Sequence, residues 1–419
     1  MIYRTEGLAQ LSEGLVLKHK KHMRVLQTIS GMSAKSGGPS TCTLDMMSGL
    51  YDISANTELL TVKCDNPNEH NLGEGSAWMH EVEYDCKTPF VISKNVQQFL
   101  LHSDYDLYHS NALWMGMNHD TCRIARQLGK PYIISPHGML YPTALKVHAW
   151  KKWILLNLWY NKDIHNARCL HATCKQEMEH CRTFGYKGPI AVIPNAVVFP
   201  EHIKSFHREE ESFEFVNGKR HIGFLGRLHP IKKVENIIYA LELLRGSENG
   251  QVLLDSVCLH IMGKYDDVYE SWLKEEVKRL RLENHVEFVG QVGGKEKYER
   301  LSKLSALMVP SVQENFGMIV PEALVCGTPV YASLGTPWSE LNDCHAGWWR
   351  DNIPATIAGV IKEILSLTNI ELLNMGRKGR QLMEEKYEQH KVAGMMKHLY
   401  EWIVEENMAK DKKPEFVYN

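Results

Sequence analysis

From Met23 onward, short apolar runs alternate with longer stretches in which apolar residues recur every three or four positions, the rhythm of strands laid parallel and covered by helices. In the first half the pattern predicts strands at RVLQTI (24–29), LLTVKC (59–64), PFVIS (89–93), DLYHS (106–110), PYIISPHG (131–138), CLHAT (169–173) and AVIPNAV (191–197). A second series starts afresh at HIGFLGR (221–227) and continues through CLHIMG (258–263), HVEFVG (285–290), ALMVPS (306–311) and PVYAS (329–333). The stretch between them is polar, dense in charge and without period, which marks a linker over 201–220. The expected organisation is an extension over 1–22, one α/β domain over 23–200, the linker, a second α/β domain over 221–387, and a C-terminal helix and tail over 388–419. Two doubly wound sheets facing a cleft follow, with ligands expected just beyond the carboxyl ends of the strands.

Bulk properties narrow the function. The 419 residues exceed what one ordinary core organises. A formal net charge of -2 gives nucleic-acid binding no support. Ten scattered cysteines without a CxxC read as free thiols in a reducing cytoplasm. No apolar stretch reaches 18 residues, and the first 22 lack the apolar core of a signal peptide.

Candidate chemistry lies after the strands. Gly37 and Gly38 let backbone approach a ligand ahead of a helix that starts near Pro39, although the spacing is not GxGxxG, so a nicotinamide dehydrogenase fits poorly. In GFLGRLHPIKK, Gly226 and Arg227 leave a strand, and Lys232 and Lys233 sit where a helix begins. Cations there oppose the helix dipole unless an anion shares the site. In VPSVQENFGMIVPEALVCGTPVYAS (309–333), Pro321 suits a first helical position, with Glu322 in the first turn and the helix ending before Gly327. Gly317 frees loop amides to face a diphosphate, while Glu322 accepts from ribose hydroxyls and Glu314 faces the sugar or the developing charge. Taken singly, each carboxylate has an ordinary structural explanation.

Together these segments resemble a known family. ENFGMIVPE is similar to the E-x7-E signature of retaining GT-B glycosyltransferases of family 4. GRLHPIKK resembles that family's donor-phosphate motif, SPHGML its first-domain histidine segment and IPNAV its interdomain segment. The resemblance implies a GT-B fold, two Rossmann-like domains facing a central cleft, and a last helix, within 388–406, that crosses back onto the first domain. It implies catalytic roles for His137, Arg227, Lys232 and Glu314. Donor contacts are implied for Gly37, Gly38, Asn195, Gly226, Val292, Asn315, Phe316, Gly317, Met318 and Glu322. The NG-(V/I)-D usual in the interdomain segment is Asn195-Ala196-Val197-Val198 here, which limits that loop's role to Asn195.

The implied function is transfer of a hexose-type unit from a UDP- or GDP-sugar to a glycan or lipid-linked acceptor, in surface polysaccharide assembly. A sugar-nucleotide epimerase of the same fold, or a donor-binding protein without transfer activity, are the alternatives. No metal or other cofactor is expected, since Arg227, Lys232 and the loop amides already supply positive potential. The histidines and cysteines of HNARCLHATCKQEMEHC (165–181) divide between a strand and a helix and lack the paired spacing of a zinc site. For KVHAWKKWILLNLWYNKD (146–163) two readings stay open, a helix packed on the first sheet or a peripheral contact with the inner face of a membrane.

Overall fold

A computed structural model describes residues 23–405 and 413–419, excepting 34–35, 65–68, 84, 86–91, 207, 214–215 and 265. The expected N-terminal extension lies outside the described residues. The first half contributes β1 (Val25–Thr28), β2 (Thr57–Val62), β3 (Met79–Val82), β4 (Leu107–Asn111), β5 (Tyr132–Ser135), β6 (Cys169–Ala172) and β7 (Ile190–Val192). The second contributes β8 (Arg220–Leu225), β9 (Val257–Met262), β10 (Val286–Gly290), β11 (Ala306–Val309), β12 (Val330–Ser333) and β13 (Gly347–Arg350), and β14 (Val417–Tyr418) closes the chain. Among the described residues, one sheet has the order β14-β7-β6-β5-β4-β1-β2-β3 and the other β10-β9-β8-β11-β12-β13. Every pairing between strands is parallel except that of β14 with β7.

The central strands β1, β4, β5, β6, β11 and β12 are buried along their length, because helices cover both faces, and this is why they read as apolar runs. The strands that the pattern did not predict, β3, β13 and β14, are edge strands. Met79–Val82 is half-buried throughout and carries no apolar run to detect. The strand expected at 89–93 falls largely outside the described residues. Within it, Ser93 caps the helix Lys94–Leu101, accepting from the Val96 amide at 3.3 Å.

Each sheet reverses its order once, between β1 and β4 and between β8 and β11. The connections leaving those strands diverge to opposite faces, which opens a crevice at each carboxyl edge. Gly37, at φ 83°, turns the chain after β1 into the helix Gly38–Asp52, with a proline in the helix's first turn.

The helix Gln389–Val404 returns to the first sheet and completes its core. Val392, Ala393, Met396, Leu399 and Ile403 are buried in one cluster with Val25, Leu59 and Leu107. Burial of each Leu or Ile side chain contributes roughly 1.5–3 kcal/mol. Gly49 lets the helices cross closely, for a Cβ there would stand 2.8 Å from Gln389 Cγ. The chain thus passes between the halves twice, and the passages touch: the Val197 amide donates to the Tyr387 carbonyl at 2.9 Å, and Val197 bridges Glu388.

Besides Gln389, which donates to the Asp45 carbonyl at 2.6 Å, and His390, which meets Asp52 at 3.3 Å, a buried polar contact specifies the docking of this helix. The Tyr400 hydroxyl accepts from Gln27 Nε2 at 2.9 Å and meets His109 Nδ1 at 2.8 Å, all three side chains being buried. Tyr400→Phe leaves both partners unsatisfied and is expected to cost about 1–3 kcal/mol. Urea denaturation is the check, and an unchanged midpoint would mean that the Tyr400 hydroxyl contributes nothing to holding the helix.

Candidate functional site

At the crevice of the second sheet, β8 exits through Gly226 (φ 154°) to the exposed Arg227. The 3-10 turn Pro230–Lys232 follows, with Lys233 in the left-handed region (φ 53°) as the cap of the helix Val234–Arg245. The two lysines diverge. Lys233 Nζ turns to Glu235 at 3.1 Å, a local neutralisation at the helix start. Lys232 Nζ pairs with Glu314 across the crevice, with 17% and 12% of the two side chains exposed. Ser311 Oγ donates to the same Glu314 oxygen at 2.7 Å, and the Val312 amide donates to the Ile231 carbonyl at 2.8 Å, so the loops after β8 and β11 form one unit.

The loop then runs through Asn315, Phe316 and Gly317 (φ 76°) into the helix Ile319–Val325, capped by Met318. Pro321 is the third helical residue rather than the first. Its missing N–H falls among the amides that a helix start leaves without partners, so the shift costs no bond. Glu322 remains in the first turn and pairs with Lys297 Nζ at 2.7 Å. Gly327 (φ 68°) follows the helix end as expected. The Phe316 ring is buried against Trp338 and Tyr387, with centroids 5.0 and 5.9 Å away, and its carbonyl accepts from Trp338 Nε1 at 2.5 Å. Val292 packs partly buried on the same apolar cluster.

On the facing domain, a Cβ built at Gly37 or Gly38 meets no atom of another segment within 4 Å among the described residues. His137 follows β5 in the left-handed region (φ 50°), and Gly138 does the same (φ 78°). Glu177, itself buried, fixes this turn: its carboxylate accepts from the Gly138 amide at 2.5 Å and from the Thr173 amide and hydroxyl at 2.7 and 2.9 Å.

His137 ends a run of hydrogen bonds with one consistent direction. His171 Nε2–H donates to the Ile193 carbonyl at 2.8 Å, which leaves its Nδ1 to accept from Ser135 at 2.6 Å. Ser135 then accepts from His109 Nε2–H at 2.6 Å, and His109 Nδ1 accepts from Tyr400. Gln27 donates to Tyr400, Asn111 Nδ2 donates to Gln27 Oε1 at 2.8 Å, and Asn111 Oδ1 accepts from His137 Nε2–H at 3.2 Å. Burial lowers the His137 pKa to about 3 and His171 to about 4, with His109 also held well below its usual value. All three imidazoles are neutral at physiological pH, and His137 Nδ1 is left as an acceptor.

The halves meet at Asn315. Its Oδ1 accepts from the Tyr141 hydroxyl at 3.1 Å, its carbonyl accepts from the Cys174 thiol at 3.3 Å, and it hydrogen-bonds the Glu177 carboxylate. A Cβ at Gly138 would stand 3.2 Å from Asn315 Cβ. The His137 turn is thereby brought against the loop that carries Glu314. Asn195 is not drawn into these contacts and lies buried on the segment that leaves β7. A separate interdomain pocket of about 670 Å³ is lined by Thr173, Cys174, Pro194, Thr336, Ser339 and Tyr387 among others. Of the expected site residues it contains only Phe316.

Asn111, Glu177, Tyr141, Lys297 and Asp45 belong to this constellation without a motif to announce them. Asp45, on the helix behind Gly38, is close enough to Glu322 and Lys297 to be coupled to both. Burial first, and then the Glu322 charge, push its pKa up to about 7, against a lowering by Lys297.

Two family models match the chain, that of the group 1 glycosyl transferases over residues 205–382 and that of the glycosyl transferase 4-like domain over 37–196. A D-inositol 3-phosphate glycosyltransferase of Stackebrandtia nassauensis is 29% identical over 129 residues, 30% of this chain and 29% of that protein. The match thus spans under a third of the curated relative. Among solved structures, Anabaena Alr3699/HepE in complex with UDP and glucose superposes with TM-score 0.68 at 16% identity, over 91% of this chain and 100% of that one. Sucrose-phosphate synthase of Thermosynechococcus elongatus gives TM-score 0.71 at 19% identity, over 91% and 99%. The architecture is that of the GT-B glycosyltransferases. The chain belongs to glycosyltransferase group 1, family 4.

The raised pKa of Asp45 fixes the sign of a pH effect. The unfolded carboxyl ionises near 3.8 and the folded one at about 7, so between those values ionisation favours the unfolded chain. The Tm gain of Asp45→Asn over the parent is expected to grow as pH rises from 4 to 7 and to level off above 8. A gain independent of pH in thermal melts would place Asp45 away from Glu322.

Proposed function

We propose that the chain is a retaining transferase that moves a hexose-type sugar from a UDP- or GDP-sugar to a glycan or lipid-linked acceptor in surface polysaccharide assembly. The observation that carries this reading is the junction at Asn315, where the loop bearing Glu314, paired with Lys232 of the loop after β8, meets a turn bearing a neutral His137. The UDP and glucose held by the Anabaena neighbour support a nucleotide-sugar donor.

In this mechanism Arg227 and Lys232 stabilise the departing diphosphate, where charge accumulates as the glycosidic bond breaks. Lys232 has three N–H donors, so it can keep Glu314 while donating to a phosphate oxygen. The acceptor hydroxyl attacks from the face the diphosphate leaves, and a phosphate oxygen takes its proton. His137 Nδ1 accepts from a donor-sugar or acceptor hydroxyl, and Glu322, beside Lys297, accepts from ribose hydroxyls. Because protein cations and amides already oppose the phosphate charge, no divalent metal is required.

The lipid side of the proposal rests on the helical segment of the first domain. Leu155, Tyr160 and Ile164 are buried in the core beside the first sheet, while Val147, Trp150, Trp153, Ile154 and Leu158 are exposed, the two tryptophans at 66% and 67%. One stripe of the segment is packed on the core and the other is open. Exposed Lys146, Lys151 and Lys162 flank the open stripe, the combination that suits an anionic membrane surface.

Incubation with labelled donor tests the function: label on the acceptor supports it, whereas a changed sugar nucleotide or no turnover overturns it. Arg227→Ala and Lys232→Ala should each lower turnover about 10- to 100-fold, as expected for about 1.5–3 kcal/mol per charged hydrogen bond. His137→Ala should cut transfer while leaving UDP or GDP affinity nearly intact, and activity should survive EDTA. Restoration by manganese or magnesium after loss in EDTA would reassign Glu314 and Glu322 as metal ligands.

For the open stripe, flotation with phosphatidylserine-containing vesicles is expected for the parent. It should be lost in Trp150→Ser/Trp153→Ser, and equal flotation of the two would refute the contact.

A further inference from the structure

The amino-terminal half of the second sheet, away from the edge that bears Arg227, holds a second group of chemically able side chains. In the register of β8 with β9, His221 lies opposite Cys258 and Gly223 opposite His260. Register partners share a face of a sheet, as do residues two apart on one strand. His221, Cys258 and His260 therefore project together, and Gly223 between them adds no side chain. One ligand atom from each lies within 4.8 Å of the others, and all three residues are half-buried, open enough for a small ion to reach.

The surroundings fix which nitrogen each imidazole presents. His260 Nδ1 faces the Glu287 carboxylate on β10 at 2.9 Å, so Nδ1 carries the proton and Nε2 offers its lone pair. That Nε2 lies 2.5 Å from His221 Nδ1, while His221 Nε2 points to the Val216 carbonyl at 3.4 Å. An imidazole whose outer N–H is held by a carboxylate or carbonyl, with its inner nitrogen within 4.8 Å of a thiol sulfur, is oriented as a metal-ligating histidine is. Lys219 acts on Cys258 and Arg300 on His260, and the Glu287 carboxylate opposes them.

We propose that His221 Nδ1, His260 Nε2 and Cys258 Sγ bind one zinc-class divalent ion, with water as the fourth ligand. Two nitrogens and a thiolate match the preference of such an ion, and the oxygen-seeking magnesium and calcium are excluded by the donor set. Binding displaces the thiol proton and any proton shared between the imidazoles to solvent. The ion pins β8 to β9 at their start. It is a structural clamp on the strand whose other end delivers Gly226 and Arg227, and it takes no part in the cleft chemistry.

The test uses the untagged full chain, stripped with EDTA and titrated with Co(II) and then Zn(II). One equivalent of Co(II) should give a thiolate-to-metal charge-transfer band, absent in Cys258→Ser and weakened in His260→Gln, with each variant's fold checked by far-UV circular dichroism. Zn(II) at about a hundred times its dissociation constant should raise the Tm of the parent by on the order of 5–10 °C and that of Cys258→Ser by much less. Absence of the charge-transfer band, or an equal band or Tm shift in Cys258→Ser, overturns the proposal and leaves a histidine pair joined by a hydrogen bond. Glycosyl transfer is not the readout, so failure here is distinct from failure of the proposed function.

Discussion

The Tyr400 hydroxyl lies where three parts of the molecule depend on one proton arrangement. It donates to His109 and accepts from Gln27, so each side chain along the buried run from the Ile193 carbonyl to His137 has one role available to it. A buried polar group left unpaired costs more than a typical pair contributes, which makes a fully satisfied run a strong specifier of one structure. The sheet supplies Gln27, His109, Asn111, Ser135 and His171, and the last helix supplies Tyr400. The geometry of the cleft-facing imidazole is thus set by a residue more than 260 positions later in the chain.

Around the crevice of the second sheet, two partly buried lysines each have a carboxylate partner. Lys232 with Glu314 and Lys297 with Glu322 place two such pairs around one loop. Pairing keeps both charges present in a partly desolvated crevice, and a ligand then needs to share the partners rather than expel them. Asp45 is a third carboxyl near the Glu322 pair, and its pKa is raised first by burial and then by the Glu322 charge.

Most of this fold is legible in the sequence because strands buried on both faces must be apolar throughout. Edge strands escape the rule, and β3 and β13 were accordingly silent. The loops after β8 and β11 announce themselves through Gly226, the displaced lysines and the two glutamates. What places those loops side by side is the strand order, and order leaves no local trace in composition. Glu177 and Asn111 look like ordinary helix and strand residues, and only the turn they hold gives them meaning. The spacing of Cys258 and His260 does predict one face, but the third ligand, His221, lies 37 residues earlier and needs the register of β8 on β9 to join them.

The two passages between the halves, at Val197 and at Tyr387–Glu388, are bonded to each other. Two separate tethers would restrain separation and leave twisting free. Two joined tethers act as a single pivot and favour swinging over twisting. Along such a swing the bonds that part include those that meet at Asn315 and the one from the Thr143 hydroxyl to the Gln313 side chain, hydrogen bonds that water can replace.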